Sequence, residues 1–251
     1  MKMTLPETDQ AQWPLDGTIF PVAEIDIEVS PEPHPFHLAE AERARESWGR
    51  EIAANPHLFD GRMVLQRSVR ITDGRISARA HIVPYSTFLW WRKTRAAGAS
   101  HIFGMPMLVS SDGALIAIRM GGHTANPGRV YSPGGSLEPE DIIDGRCDVA
   151  RNIAREVMEE TGISLSEAIA EPGWHAIRMD GTLTVFRVFR LAATAEEILA
   201  RVAAHVAADP HPEIDEAVAI RGPEPAAHNY PEFIPPILEW LFARVRGQQT
   251  A

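Results

Sequence analysis

Arg155-Glu156-Val157-Met158-Glu159-Glu160-Thr161-Gly162-Ile163 is the stretch on which the reading of this chain turns. Across residues 148–160, Val149, Ile153 and Val157 recur at i, i+4 and i+8, the apolar stripe of a helix laid on a sheet. Asp148 stands where an N-cap acceptor is wanted, and Gly162 lies just past the last turn, where a left-handed cap costs glycine least. Glu156, Glu159 and Glu160 are spaced i, i+3, i+4 and project from one face. Three like charges there repel one another, which does nothing for an isolated helix. A hard divalent cation, Mg2+ or Mn2+, removes the conflict, because it prefers carboxylate and water oxygens and can bridge a diphosphate. For the triplet alone, an exposed acidic helix face is the plain alternative.

The residues ahead of the helix change that balance. Pro133-Gly134-Gly135-Ser136-Leu137-Glu138-Pro139-Glu140-Asp141, followed by Arg155–Ile163, resembles the box of the Nudix hydrolases. That family's pattern runs Gly, five residues, Glu, seven residues, Arg-Glu, an aliphatic, any residue, Glu-Glu, any residue, Gly, an aliphatic. The second half fits at every specified position. The first half departs: counting forward from Gly135 places Asp141 at the glutamate position, with thirteen residues before Arg155. Counting back from Arg155 places Cys147 there, beside Asp148. Six extra residues therefore lie between Gly135 and the helix, with Asp144-Gly145-Arg146 read as loop. Glu138, Glu140, Asp141 and Asp148 all stand as candidates for the first glutamate's structural role.

The resemblance implies an α+β fold, a Nudix α/β/α sandwich with a mixed sheet. It implies a metal-dependent hydrolase that cleaves the diphosphate of a nucleoside diphosphate linked to another moiety. By position, Glu156, Glu159 and Glu160 are metal ligands, with the Gly135 carbonyl a further one, and Arg155 orients the glutamates by ion pairing. Glu159 or Glu160 is the nearest general base, with Glu213 or Glu216 behind them. Arg119, at the end of an apolar strand, resembles the arginine that often closes that strand in Nudix proteins and is a candidate phosphate contact, with an ordinary surface cation the alternative. His123, Asn126 and Arg129 in the loop entering the box, and Tyr131 as a stacking ring, are candidate substrate contacts, each weighed against an ordinary surface or strand-edge role. Specificity lies outside the box. Asn55–Gly61 and Tyr85–Leu89 loosely resemble the eukaryotic Nudix hydrolases of UDP-sugars, which makes UDP-glucose or UDP-galactose the first substrate expectation and leaves ADP-ribose open. The competing function class is a catalytically silent Nudix module that senses a nucleotide or binds a partner. Retention of all three glutamates favours the enzyme.

The rest of the sequence bounds these readings. Its 251 residues are enough for a sizeable core, and 45% apolar with 23% charged residues is ordinary for a globular protein. A formal net charge of −10 disfavours a broad nucleic-acid interface but not a small anionic substrate met by metal. A single cysteine, Cys147, excludes an intrachain disulfide and reads as inert. No apolar leader stands at the N-terminus and no apolar run reaches the roughly 20 residues of a membrane span, so the expectation is a cytoplasmic protein, with a homodimer open. His34 and His37 lack a cysteine partner for zinc. Trp90 and Trp91 read as packing residues.

Along the chain, residues 1–15 read as a loose arm, Val22–Val29 as a strand, Pro31, Pro33 and Pro35 as loop, and 37–54 as a helix. Met63–Val69 and Ile76–Val83 form a hairpin about Asp73-Gly74, and Thr87–Ala97 a short helix. These make an N-terminal α+β domain, 1–100, ahead of a Nudix domain, 101–251. In the latter, Met107–Ser110 and Ala114–Met120 flank a turn, and a loop runs from Gly121 to Gly135. Beyond the box helix come a strand at Thr182–Leu191, a helix at Ala195–Ala208, a strand at Glu216–Ile220 and a helix from about Pro235 to Val245.

Overall fold

The computed structural model describes residues 13–249, with side chains described to residue 244. The expected loose arm and the leader-free N-terminus lie outside the described residues as far as residue 12. From residue 13 the arm is corrected: Trp13 is buried, with Arg178 over its ring at 5.3 Å.

The single strand expected at Val22–Val29 is two, β1 (Ile19–Val22) and β2 (Glu24–Ser30), which belong to different sheets. The first helix, α1 (Pro35–Ala54), starts two residues before the expected point. Pro35 opens it instead of ending a loop, because the first helical turn needs no proline N–H. His34 Nδ1 accepts from the Phe36 N–H at 3.0 Å as its cap. The hairpin of β3 (Arg62–Thr72) and β4 (Arg75–Pro84) turns at Asp73 and Gly74, with φ of 51° and 75°. Next comes α2 (Tyr85–Thr94), which ends at Arg95 in a left-handed conformation, short of the expected Ala97.

The second half contains β5 (His101–Val109), β6 (Leu115–Met120) and β7 (Val130–Tyr131). It continues through β8 (Ile142–Ile143), β9 (Arg146–Cys147) and α3 (Val149–Thr161). Then follow β10 (Ile169–Ala170), β11 (Trp174–Met179) and β12 (Thr182–Arg190). The chain closes with α4 (Ala195–Ala208), β13 (Ile214–Ile220) and α5 (Ile234–Gln249). β5 starts six residues before the expected Met107. All nine of its residues are buried, so it carries no polar alternation to mark its beginning.

The larger sheet is ordered β1-β11-β12-β5-β6-β13, with β10 on β12 and β7 on β6; β12 and β5 run parallel and the other pairs antiparallel. Alternation along β5 assigns the layers. Gly104 faces α3, where Ile153 and Val149 close over it. Its neighbour Phe103 points the other way and meets Phe233, just ahead of α5, at 5.6 Å. On β12, Phe186 likewise meets Trp240 of α5. Helices α3 and α4 thus cover one face and α5 the other, an α/β/α sandwich.

The smaller sheet, β3-β4-β2-β9-β8, is covered on one face by α1 and α2. β3 is buried on both sides: Met63 and Leu65 join the cluster under α2, while Val64 joins the main core. The sheets exchange strands across residue 100, since β1 lies with the later strands and β8–β9 with the earlier ones. The six extra box residues, read as loop, are corrected to a hairpin: β8 and β9 join through Asp144 and Gly145, with φ of 49° and 77°, and β9 pairs with β2. Arg146 adds an ion pair to Asp26 of β2.

Gly104 is the point where helix and strand come closest, and a Cβ added there would lie 2.6 Å from Ile153 Cγ1 and 2.9 Å from Val149 Cγ1. Gly104→Ala must push α3 off β5 and should lower stability by about 1–3 kcal/mol, the usual range for overpacking. Denaturant unfolding checks this, and an unchanged midpoint would contradict the close approach.

Candidate active site

The functional side chains hang on α3, whose ends are fixed locally. Asp148 Oδ1 caps it, accepting from the Arg151 N–H at 3.0 Å. Gly162 ends it at φ 67°, donating its N–H to the Met158 carbonyl at 2.9 Å. The expected stripe of Val149, Ile153 and Val157 is buried against β5. Glu156 and Glu160 lie beside that stripe and Glu159 further round the helix, and all three reach a cleft of about 1160 Å³. Gly134, Gly135, Glu138, Arg155, Glu156, Glu159 and Glu160 all line it.

Arg155 is the hub. Its guanidinium pairs with Glu156 Oε1 at 2.8 Å, Glu159 Oε2 at 2.8 Å and Asp141 Oδ2 at 3.2 Å. Asp141 is fully buried and also accepts from the Asn152 side-chain amide and the Glu138 N–H, both at 2.9 Å. Of the four carboxylates open for the first box glutamate, geometry selects Asp141, the one reached by counting forward from Gly135. Asp148 is committed to the helix cap. Burial works to lower the Arg155 pKa, and the Asp141, Glu156 and Glu159 charges outweigh it, so the guanidinium is held charged.

Glu156 and Glu160 are both buried, and Glu160 Oε2 accepts from the Gly134 N–H at 2.9 Å. Glu156 packs so close to Gly135 that a Cβ there would lie 2.5 Å from its carboxyl atoms. Burial pushes the Glu156 carboxyl up to about 8, against the pull of Arg155, and raises Glu160 well above the ordinary range, with the Glu156 charge adding to it. Glu159 is the outward member of the three, with a side chain 55% exposed. Among the described residues, no three His, Cys, Asp or Glu side chains already form a ligand set. Oxygen donors for a hard cation are nevertheless present in two buried carboxyls, Glu156, paired with Arg155, and Glu160, which is held by the Gly134 N–H.

The other sequence-derived residues divide. Arg129 and Tyr131 line the cleft, Arg129 donating to Asn229 Oδ1 at 3.1 Å and the Tyr230 carbonyl at 2.9 Å. Tyr131 is buried, its hydroxyl accepting from Asn126 at 3.3 Å, so its ring has little free face for stacking. Arg119 is corrected: it pairs with Glu216 across β6 and β13 at 2.8 Å and does not line the cleft. Glu216 likewise does not line the cleft, whereas Glu213 does. His123 offers its carbonyl to Asn55 at 2.7 Å, tying the loop to the end of α1. His34 caps α1 while His37 bonds Thr87 at 2.7 Å, so the two face different partners. Trp91 is core and Trp90 donates to Glu40 at 2.9 Å, as packing residues do. Burial raises the Cys147 thiol to about 12, consistent with an inert group.

Missed by sequence reasoning is the far wall of the cleft. α2 supplies Tyr85, Phe88, Arg92 and Arg95, and β5 supplies His101 and Phe103. Arg92, Lys93 and Arg95 cluster in the sequence, but the adjacent tryptophans drew the reading toward packing alone.

No family model matches the sequence, and no curated protein matches it. Among solved structures, it is similar to a MutT protein from Methanosarcina mazei at 18% identity, covering 59% of this chain and 96% of that one, with a TM-score of 0.39. An Ap4A hydrolase from C. elegans matches at 10% identity over 58% of this chain and 98% of its own, TM-score 0.41. The Nudix domain of Shewanella oneidensis NrtR, complexed with ADP-ribose, matches at 10% over 62% and 97%, TM-score 0.41. No helix among the described residues is long and apolar enough to cross a membrane.

Two outcomes test the site. Asp141→Ala should destabilise by about 3–5 kcal/mol, because it strips a buried ion pair, while Glu140→Ala should change little; equal effects in denaturant melts would contradict the choice of Asp141. In chelator, Glu156 and Glu160 hold protons to higher pH in the fold than when unfolded. Their contribution is therefore complete below the ordinary glutamate range and is lost as pH rises, for Glu156 through about 8. Buried His34 and His101, lowered to about 4 and about 3 by desolvation, work oppositely near neutrality, so the comparison is with Glu156→Gln/Glu160→Gln. The melting temperature of the unsubstituted protein should fall more between pH 5 and 8.5 than that of the double variant. Several of the solved structures to which this chain is similar are described as Nudix proteins, the Shewanella oneidensis domain among them, and its own residues Pro133–Ile163 resemble that family's box.

Proposed function

We propose that this protein is a Nudix-type hydrolase that cleaves the diphosphate of a nucleoside diphosphate linked to another moiety, with Mg2+ or Mn2+ as cofactor. The observation that carries the reading is the cleft wall on α3: two buried carboxyls, Glu156 and Glu160, and the exposed Glu159, with Arg155 paired to Glu156 and Glu159. Glu156 and Glu160, with the Gly135 carbonyl, would hold the cation, and Glu159 would join them on leaving Arg155. Bound metal supplies Lewis-acid polarisation of the phosphate oxygens. Glu159, the most accessible of the three, would take the proton of the attacking water, with Glu213 the second candidate on the cleft wall. Arg155 and Asp141 keep this face of α3 in register.

A nucleotide sugar such as UDP-glucose or UDP-galactose heads the substrate series, on the resemblance of Asn55–Gly61 and Tyr85–Leu89. ADP-ribose belongs beside it, because the NrtR Nudix domain is complexed with that compound. A silent nucleotide-sensing module is the rival reading, and the retained glutamates speak against it.

The experiment is a panel of nucleotide sugars and dinucleotides with Mg2+ or Mn2+, with the products identified. Release of a nucleoside monophosphate is expected, and a panel with no product refutes hydrolase function. Glu159→Gln should lower kcat by about 10²–10⁴-fold, the usual contribution of general acid–base catalysis, with the melting curve nearly unchanged. Divalent metal should raise the melting temperature more at pH 8 than at pH 5, where protons compete for Glu156 and Glu160. A pH-independent metal shift speaks against these ligands.

A further inference from the structure

The cationic residues around the cleft differ in how their charge is met. Arg155 is surrounded by Asp141, Glu156 and Glu159, and Arg95 pairs with Asp180 at 2.9 Å. Arg92 is different. Half-buried on α2, it donates to Asn126 Oδ1 at 3.1 Å and the Ala125 carbonyl at 3.3 Å, both neutral acceptors, and lies 5.8 Å from the Phe88 ring centroid. No carboxylate among the described residues reaches ion-pair distance of it. In a chain of net charge −10, a partly desolvated guanidinium left without a counter-ion at a cleft wall is costly unless the cleft's occupant supplies the charge. Arg129, on the same loop as Asn126, also has only neutral partners. The cleft thus has an acidic wall on α3 and a cationic edge contributed by α2 and this loop.

We infer that Arg92 is a substrate-binding residue that donates directly to an anionic phosphate oxygen of the bound molecule, so that the segment before residue 100 supplies part of the active site. Arg92 suits this because a planar guanidinium has donors to spare after two neutral hydrogen bonds. Its contacts with residues 125 and 126 keep the fork in place before the ligand arrives. This rests on the proposed diphosphate chemistry and adds to it the residue that reads the anion from the N-terminal side.

The test is calorimetric binding of inorganic pyrophosphate in the presence of Mg2+, on the full chain, for the wild-type protein, Arg92→Gln and Arg92→Lys. Glutamine is two bonds shorter and gives up both the charge and the reach to Asn126, whereas lysine keeps the charge, so the pair of variants separates loss of charge from loss of the loop contact. Arg92→Gln should weaken pyrophosphate binding by about 10- to 100-fold, the size of a hydrogen bond to a charged group, and flatten the salt dependence of binding. Arg92→Lys should recover part of the affinity. An Arg92→Gln protein that melts normally and binds pyrophosphate like wild type overturns the assignment, as does equal loss in both variants. Absence of binding by the wild-type protein overturns it together with the diphosphate reading. Weakened binding beside a panel that yields no product would keep Arg92 as an anion contact and reject hydrolysis.

Discussion

Arg155 and Asp141 make the rest of the site possible. A helix face with three glutamates, two of them buried, ionises fully only against countercharge, and a fully buried Asp141 adds a further carboxyl nearby. The guanidinium answers three of these carboxylates at once. Asp141 answers it in turn, and through the Glu138 N–H and the Asn152 amide it fixes the loop against the helix. Without the arginine, Asp141, Glu156 and Glu159 would lose their shared countercharge; without the aspartate, the guanidinium would keep only its two glutamates.

Around that pair, packing supplies the precision. Gly104 lets α3 lie directly on β5, and Gly135 lets the Glu156 carboxyl sit where any Cβ would stand. These are backbone clearances, and they explain why glycines recur on either side of the box although only some need a positive φ. The glutamates are consequently held by two surfaces, strand below and loop beside, and only Glu159 is left free to move toward solvent or ligand.

Much of this was legible. The helix at 148–160, its Asp148 cap, its Gly162 stop and the direction of its acidic face all follow from periodicity and capping chemistry, since each depends on residues within one or two turns. The Asp73-Gly74 hairpin was legible for the same reason. What escaped depends on distant partners. β5 is buried from end to end and offers no alternation, and Arg119 looks available until Glu216 arrives from a strand 97 positions away. Arg92 likewise looks like a surface cation until α2 is brought against the loop at 125–126. The choice among four carboxylates also needed three dimensions, because an inserted hairpin breaks the count that would have made it.

That hairpin has a consequence for how the chain can be divided. β9 covers one edge of β2, and β8 completes the sheet beyond it. A fragment ending near residue 100 would keep β2, β3 and β4 but present the β2 edge as a row of unpaired N–H and C=O groups. Open edges of that kind recruit other strands, so such a fragment should be sticky in a way the whole chain is not. The irregular box therefore also reaches back with its extra residues, pairing Arg146 with Glu28 on an edge that the earlier part of the chain leaves bare.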